Sequence, residues 1–308
     1  MLAKTEQIWM DGKLIPWGDA NVHILTHTLH YGVGVFEGIR YYDCGIQGSA
    51  VFRLKEHMRR FSDGCKVLSL KQPYSSQELI EACLTLIRAN KLKEGYIRPL
   101  AFISEGPNAG LWAYENPVRV AILTWGWETY LGKEGVNHGI RAKISSLTRH
   151  HRNIAMTNSK VCGQYFNSVL AKQESKVSGF DEAIMLDPEG FVAEGTGENI
   201  FLVRDGVVKT PPLGSIIPGI TRDTVITLLS EQGISVKEEQ IARHQLYIAD
   251  EVFLTGTAAE ITPVREVDMR TIGNGTPGPI TKRIQQKYSD LVRGKIEERK
   301  DWLTFTDK

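Results

Sequence analysis

Lys160 follows three small polar residues, Thr157, Asn158 and Ser159, and precedes Val161, Tyr165, Val169 and Leu170. That spacing predicts a helix opening at the lysine with one apolar side. Lysines are ordinarily solvated surface charges, so the company this one keeps decides its interest. Glu194 is followed by Gly195 and Gly197, which puts a carboxylate at a strand end where the backbone is free to take unusual shapes. Pro218-Gly219-Ile220-Thr221-Arg222-Asp223 sets a turn before a helix, with Thr221 as the expected N-cap and the free N–H groups of the first turn as an anion site. Thr255-Gly256-Thr257-Ala258-Ala259 is a second such place, a strand end where small residues leave amides and a hydroxyl open to a ligand. Singly, each has an ordinary reading: a solvated lysine, a loop glutamate, a capped helix.

Taken together, an amine, a carboxylate, a tyrosine and two phosphate sites are the parts needed to hold pyridoxal phosphate on a lysine. The amine must attack an aldehyde, which asks for partial burial to lower its pKa. A carboxylate at the pyridine nitrogen keeps that nitrogen protonated. Tyr165 follows the lysine by roughly one and a half helical turns, within reach of the ring oxygen.

The elements that must position these groups follow from local pattern. Asp11-Gly12 between residues 8–10 and 13–15 predicts a hairpin. The run Tyr31-Gly32-Val33-Gly34-Val35-Phe36-Glu37-Gly38 lacks the dinucleotide-binding glycine spacing; its glycines suit close approach of backbone to a ligand, with Tyr31 and Phe36 as aromatic walls. Strand 50–54 leads into helix 55–68, which carries His57, Arg59 and Arg60; either arginine suits a phosphate. Ser75 with Glu78 makes a capping box for helix 75–91. Strand 96–103 places Tyr96, Arg98 and Leu100 on one face, and 118–124 is a further strand. Glycines at 126, 132, 135 and 139 mark a domain boundary, giving an N-terminal domain over 1–125, a linker over 126–139 and a C-terminal domain over 140–308. That second domain opens with strand 140–145 and a basic loop, Arg149-His150-His151-Arg152. It continues through strands 181–186, 191–193, 199–203 and 207–210, helix 221–232, strands 251–254 and 261–264, and a last helix over 280–297. The architecture is α+β in two domains.

Composition narrows the rest. The chain has 308 residues, 42% of them hydrophobic and 24% charged, with a formal net charge of +1. No global field draws it to nucleic acid or an anionic membrane, and no apolar run approaches membrane-spanning length. Cys44, Cys65, Cys83 and Cys162 show no C-x-x-C pair, which suits reduced thiols in the cytoplasm; the first nine residues carry no signal-peptide core. His23, His27 and His30 would share one face of a helix and could bind a metal. With no carboxylate ligand beside them, hydrogen-bonded histidines in a packed or subunit-facing segment are favoured and no metal is expected.

The strings His30-Tyr31-Gly32, Phe36-Glu37-Gly38-Ile39-Arg40, Tyr96-Ile97-Arg98-Pro99, Glu194-Gly195-x-Gly197-Glu198-Asn199, Pro218 to Asp223 and Gly256 to Val264 occur in an order that resembles the class IV (fold-type IV) aminotransferases, and among them the branched-chain members. The likeness runs from Ile8 to about Gln286. It implies a smaller N-terminal α/β domain and a larger C-terminal pseudo-barrel domain with the active site between them. It implies that Lys160 bonds the cofactor, that Glu194 pairs the pyridine nitrogen and Tyr165 the ring oxygen, and that Arg60, Ile220, Thr221 and Thr257 hold the phosphate, the His-x-x-Arg spacing from His57 selecting Arg60. On the substrate side it implies an apolar pocket from Tyr31, Phe36, Gly38, Tyr96, Trp127 and Tyr130, with the amides of Ala258 and Ala259 on the α-carboxylate. Arg98 is the candidate partner for the side-chain carboxylate of glutamate.

The implied reaction is transamination of L-leucine, L-isoleucine and L-valine with 2-oxoglutarate. Its partners are small amino acids and 2-oxo acids, and the implied assembly is a homodimer or dimer-based hexamer in which Tyr31 reaches the partner's pocket. D-amino-acid aminotransferase and aminodeoxychorismate lyase share the fold and are the rivals; a metal-dependent hydrolase on the three histidines is the rival from another class. Gln164, where the family usually has Asn, and the basic loop before Lys160 depart from the family pattern.

Overall fold

The computed structural model describes residues 4–127 and 130–306. The chain forms two compact units, one from Met1–Glu128, Ser159–Gln164 and Leu291–Lys308, the other from Thr129–Asn158 and Tyr165–Asp290. A contiguous cut at 126–139 would assign 159–164 and 291–308 to the second unit instead.

In the first unit the elements are β1 (Gln7–Met10), β2 (Lys13–Pro16), α1 (His27–Tyr31), β3 (Gly34–Phe36), β4 (Ile39–Asp43), β5 (Ser49–Phe52), α2 (Leu54–Val67), α3 (Ser76–Asn90), β6 (Gly95–Ile103) and β7 (Val118–Trp125). The β1–β2 hairpin is the expected one, with Asp11 and Gly12 at φ 49° and 88°. Leu54, Met58, Phe61 and Cys65 of α2 recur on one face, and that face is buried with Leu79, Cys83 and Leu86 of α3 and with Ile97 and Ile122. Ser75 caps α3 through the predicted box with Glu78. The sheet runs β5-β4-β6-β7-β1-β2, with β3 added against β6; every pairing in it is antiparallel.

The second unit holds α4 (Gly132–His138), β8 (Ile140–Ile144), α5 (Tyr165–Val177), β9 (Glu182–Leu186), β10 (Val192–Gly195), β11 (Asn199–Arg204), β12 (Val207–Thr210), α6 (Ile220–Ser230), β13 (Val236–Glu238), α7 (Arg243–Tyr247), β14 (Glu251–Gly256), β15 (Glu260–Val267), β16 (Arg270–Thr271) and most of α8 (Pro279–Val292). Within the expected linker, 128 and 129 lie outside the described residues and 132–138 are helical. The strand path is β10-β9-β8-β15-β14-β11-β12-β13, and β10 also pairs β11. That last contact joins the two ends of a six-strand run into a ring, the barrel-like closure expected of this half. The seam is one residue pair, Glu194 opposite Asn199.

The parallel neighbours β8 and β9 cannot be joined by a hairpin and need a crossover. The crossover contains Lys160 and then α5. Beyond α8, which stops at Val292 rather than 297 with Gly294 at φ 71°, β17 (Leu303–Phe305) returns to pair with β5 in the first unit.

Candidate active site

Lys160 does not open a helix. Its carbonyl accepts from the Phe36 amide at 3.2 Å, Val161 bridges Val35, and the Gly163 amide donates to Gly32 O at 3.0 Å. Residues 160 and 161 are thus laid along β3, residues 162–164 make a single 3-10 turn, and α5 begins only at Tyr165. The separation of Lys160 from Tyr165 is therefore not helical. The apolar face assigned to the helix is displaced too: Val161 is buried against β3, Val169 is 60% exposed, and α5 buries Ser168, Ala171 and Ser175. A long-range pairing has overridden a local N-cap signal. Gln164 is buried at the end of the turn. The glycines of this region permit close approach: a Cβ on Gly32 would lie 2.7 Å from Gly163 Cα, and one on Gly38 would collide with the Tyr96 hydroxyl.

Around Lys160 the first unit assembles an aromatic and cationic cluster. The amine stands 5.0 Å from the Phe36 ring centroid. The Arg98 guanidinium lies 4.9, 5.5 and 5.7 Å from the centroids of Phe36, Tyr96 and Trp125, and its Nε is buried with no hydrogen-bond partner among the described residues. Trp127 packs edge-on to Tyr96 at 4.6 Å. Burial first, and then the positive charge of Arg60, push the Lys160 pKa down against the opposing pull of Glu37. A lysine held below its ordinary value has the lone pair that attack on an aldehyde requires.

Arg60 comes from α2 as one arm of a buried triad. Its Nε donates to Glu37 Oε1 at 2.6 Å and its Nη2 to Oε2 at 3.0 Å, while His57 Nδ1 lies 2.8 Å from Oε2. Burial alone would raise the Glu37 pKa, but Arg60 and then His57 outweigh it and hold the carboxyl well below the usual range. His57 is itself pushed down by burial, against the pull of Glu37; its Nδ1–H donates, because an ionised carboxylate can only accept. Glu37 is not among the sequence-predicted site residues; a carboxylate between two apolar strands, with a His and an Arg three apart on the helix that follows them, is the signal that could have found it.

Tyr31 ends α1 at 45% exposure, stacked on His27 at 4.6 Å with its hydroxyl reaching Ala109 O at 3.5 Å. The three histidines do not share a helix face: His23 precedes α1, His27 Nε2 meets Gly110 O at 3.1 Å, and His30 Nε2 meets Ile24 O at 2.8 Å.

In the second unit Glu194 occupies the ring seam. Asn199 Nδ2 and the Ile217 amide donate to its Oε2 at 3.2 and 3.1 Å, and Arg149 Nη2 lies 2.9 Å from Oε1. Arg149 is buried, so this member of the basic run is an interior ion pair and not part of a solvated gate. Helix α6 starts one residue earlier than expected: Gly219 is the N-cap, without a side-chain cap, and Thr221 is a buried second helical residue. A Cβ at Gly219 would fall 1.9 Å from Asn199 Oδ1, so only glycine lets the helix start this close to the seam. The amides of Ile220 and Thr221 are left for an external acceptor. Thr257, Ala258 and Ala259 form the tight turn between β14 and β15, and beside them the Thr255 hydroxyl is buried with no partner among the described residues. Tyr130 stacks against Lys172, whose amine is 5.1 Å from its ring centroid. Among the described residues no group of three metal-ligand side chains is found, and no helix is long and apolar enough to cross a membrane.

The first unit thus holds a lysine whose pKa is pushed down, and the second a buried carboxylate and a helix that starts without a side-chain cap. Residues 34–267 match the family model for amino-transferase class IV, and the chain belongs to that family. It is 52% identical to the branched-chain-amino-acid aminotransferase of Pseudomonas aeruginosa, over 97% of this chain and 96% of that one. Two crystal structures of the T.th. branched-chain amino acid aminotransferase superpose on 99% of both chains at 44% identity. One is complexed with N-(5'-phosphopyridoxyl)-L-glutamate, with a TM-score of 0.95, and one with 4-methylvaleric acid, at 0.94.

Proposed function

We propose that the protein transfers the amino group of L-leucine, L-isoleucine and L-valine to 2-oxoglutarate, giving branched 2-oxo acids and L-glutamate, with pyridoxal 5'-phosphate as cofactor. The observation that carries this reading is the near-full-length likeness to aminotransferases, solved with a glutamate adduct of the cofactor and with a branched acid, on a chain whose lysine is held below its ordinary pKa. The residues fit the cofactor. The uncapped start of α6, the unpartnered Thr255 hydroxyl and Arg60 supply donors suited to a phosphate, and Glu194 supplies an anion suited to a protonated pyridine.

When bound, the cofactor supplies an electron-accepting ring that makes the amino acid's Cα–H acidic. Lys160 would hold the cofactor, and its amine would be the group that takes the proton from Cα and returns one, as general base and then acid. Glu194 keeps the ring nitrogen protonated, with Arg149 and Asn199 holding the carboxylate in place. Tyr165 donates toward the ring oxygen. Arg60, Ile220, Thr221 and Thr257 bind the phosphate. Ala258 and Ala259 offer amides to the α-carboxylate, and Tyr31, Phe36, Gly38, Tyr96, Trp127 and Tyr130 exclude water around an apolar side chain. Arg98, with a buried donor awaiting an acceptor, pairs the side-chain carboxylate of glutamate and lines an apolar wall when leucine is present.

The working form is a homodimer or dimer-based hexamer. Ile24, Leu25 and Leu29, which precede Tyr31 closely in the chain, are 73%, 54% and 60% exposed, apolar side chains of the kind a subunit contact would cover. Its location is the cytoplasm, in keeping with free cysteines. A coupled assay tests the whole reading: L-leucine with 2-oxoglutarate should yield glutamate, and D-alanine should not. Turnover of D-alanine, or none of L-leucine, would overturn it.

A further inference from the structure

Glu37 lies between Phe36 and Gly38, in a stretch whose neighbours are apolar or small, yet its side chain is 0% exposed. A buried carboxylate is tolerated only when its oxygens are paired and hydrogen-bonded. Here four donors serve it: Arg60 Nε at 2.6 Å, Arg60 Nη2 at 3.0 Å, His57 Nδ1 at 2.8 Å and the Gly38 amide at 3.2 Å. The backbone on either side is fixed as well, since the Glu37 amide donates to Pro99 O at 2.9 Å. Arg60 is the less enclosed member, 15% exposed. The pair uses its Nε and Nη2, so the Nη1 edge is the one turned away from Glu37. An arginine gripped at two nitrogens has already given up its rotamer freedom, and an anion that meets it need not order it.

We propose that Glu37 is a positioning residue: with His57 it locks the Arg60 guanidinium so that a fixed cationic edge meets the cofactor's phosphate, and it thereby sets the preference for the phosphorylated over the unphosphorylated cofactor. This rests on the reading that Arg60 binds the phosphate. The opposite role is also physically open, because a carboxylate this close partly neutralises the arginine and would weaken its hold on an anion; the two roles predict opposite signs.

The test is equilibrium titration of the cofactor-stripped protein with pyridoxal 5'-phosphate and with pyridoxal, read by absorbance, comparing the ratio of the two Kd values. Glu37→Gln and Glu37→Asp should each lower the preference for the phosphorylated form by about tenfold or more, the worth of a charge-assisted hydrogen bond, while the Kd for pyridoxal stays near the parent's. Arg60→Ala should lower it at least as far, and Glu37→Gln added to Arg60→Ala should change the ratio no further. Near-UV circular dichroism confirms the fold; should Glu37→Gln fail there, Glu37→Asp, which keeps the charge, carries the test, and His57→Gln should shift the ratio in the same direction. A preference unchanged or raised in the Glu37 variants, with Arg60→Ala still lowering it, overturns the proposal. Equal loss of both ligands also overturns it, since it marks a merely structural role. An unchanged ratio in Arg60→Ala overturns the phosphate reading on which the proposal stands.

Discussion

Glu37 in the first unit and Glu194 in the second are both buried carboxylates gripped by an arginine, but the two pairs are enclosed differently. Arg60 keeps 15% of its side-chain surface while Glu37 has none, so the carboxylate is the interior end and the cation points outward. Arg149 is as enclosed as Glu194, at 4% against 6% of side-chain surface, and the carboxylate stands at the seam of a strand ring next to the glycine that opens α6. The difference teaches that an ion pair assigns no role by its composition. In the roles proposed here, the acid anchors and the base works in one pair, and the base anchors and the acid works in the other. Which is which follows from the elements that carry them.

The largest effect comes from the group both pairs are proposed to serve. Lys160→Ala should lose turnover to background while still binding the cofactor through its phosphate contacts. Borohydride reduction of the parent followed by peptide mapping should place the pyridoxyl group on Lys160. A label on Lys172 or Lys176 would break the comparison at its root.

Glu194→Gln should come next. An amide cannot keep the ring nitrogen protonated, and losing an interaction with developing charge costs about 3–4 kcal/mol, or roughly two to three powers of ten in turnover. A near-normal rate would reduce Glu194 to a structural residue of the ring seam. Arg98→Ala should raise KM for glutamate and 2-oxoglutarate by about one to two powers of ten and leave the leucine half-reaction almost unchanged. Equal losses in both half-reactions would assign Arg98 to the α-carboxylate or to the fold.

Much of this arrangement can be read along the chain, and what cannot shares a cause. The Asp11-Gly12 turn and the Ser75–Glu78 capping box are local, and both stand where the pattern puts them. The sequence predicts a helix opening at Lys160 because Thr157, Asn158 and Ser159 resemble a cap, but the strand it pairs with lies far back at Val35. Thr221 has the chemistry of an N-cap, yet Gly219 takes the position because Asn199 leaves no space for a Cβ. Glu37 and Arg149 escape a linear reading for the same reason: each makes sense only beside a partner brought in by the fold. The proposed site roles come from the resemblance, not from spacing.

The smallest predicted effect extends the comparison to a carboxylate that is not enclosed. Glu174, with a quarter of its side chain exposed, meets Lys143, the Ser145 hydroxyl and the Ser146 amide. Burial would raise its pKa, but these partners together lower it from 4.5 to about 2. A depressed carboxylate stabilises the fold fully above its ordinary value and loses that contribution as the pH falls from 4.5 toward 2. The melting temperature of Glu174→Gln should therefore lie slightly below the parent's near neutrality and converge with it across that window. A constant gap would mean that the carboxylate's charge is not what stabilises.

The return of β17 to β5 has a consequence for how the protein is made. During synthesis Ser49–Phe52 leaves the ribosome long before its antiparallel partner Leu303–Phe305. Throughout that interval, one edge of the first sheet presents bare N–H and C=O groups, a template for pairing with any other nascent strand. Arg53, whose amide donates to Trp302 O at 2.7 Å and whose guanidinium stacks on the Trp302 ring at 4.6 Å, waits equally long for its partner. A chain stalled shortly before Leu303 would already carry every proposed site residue and still expose an adhesive edge, so its hazard would be aggregation rather than missing chemistry.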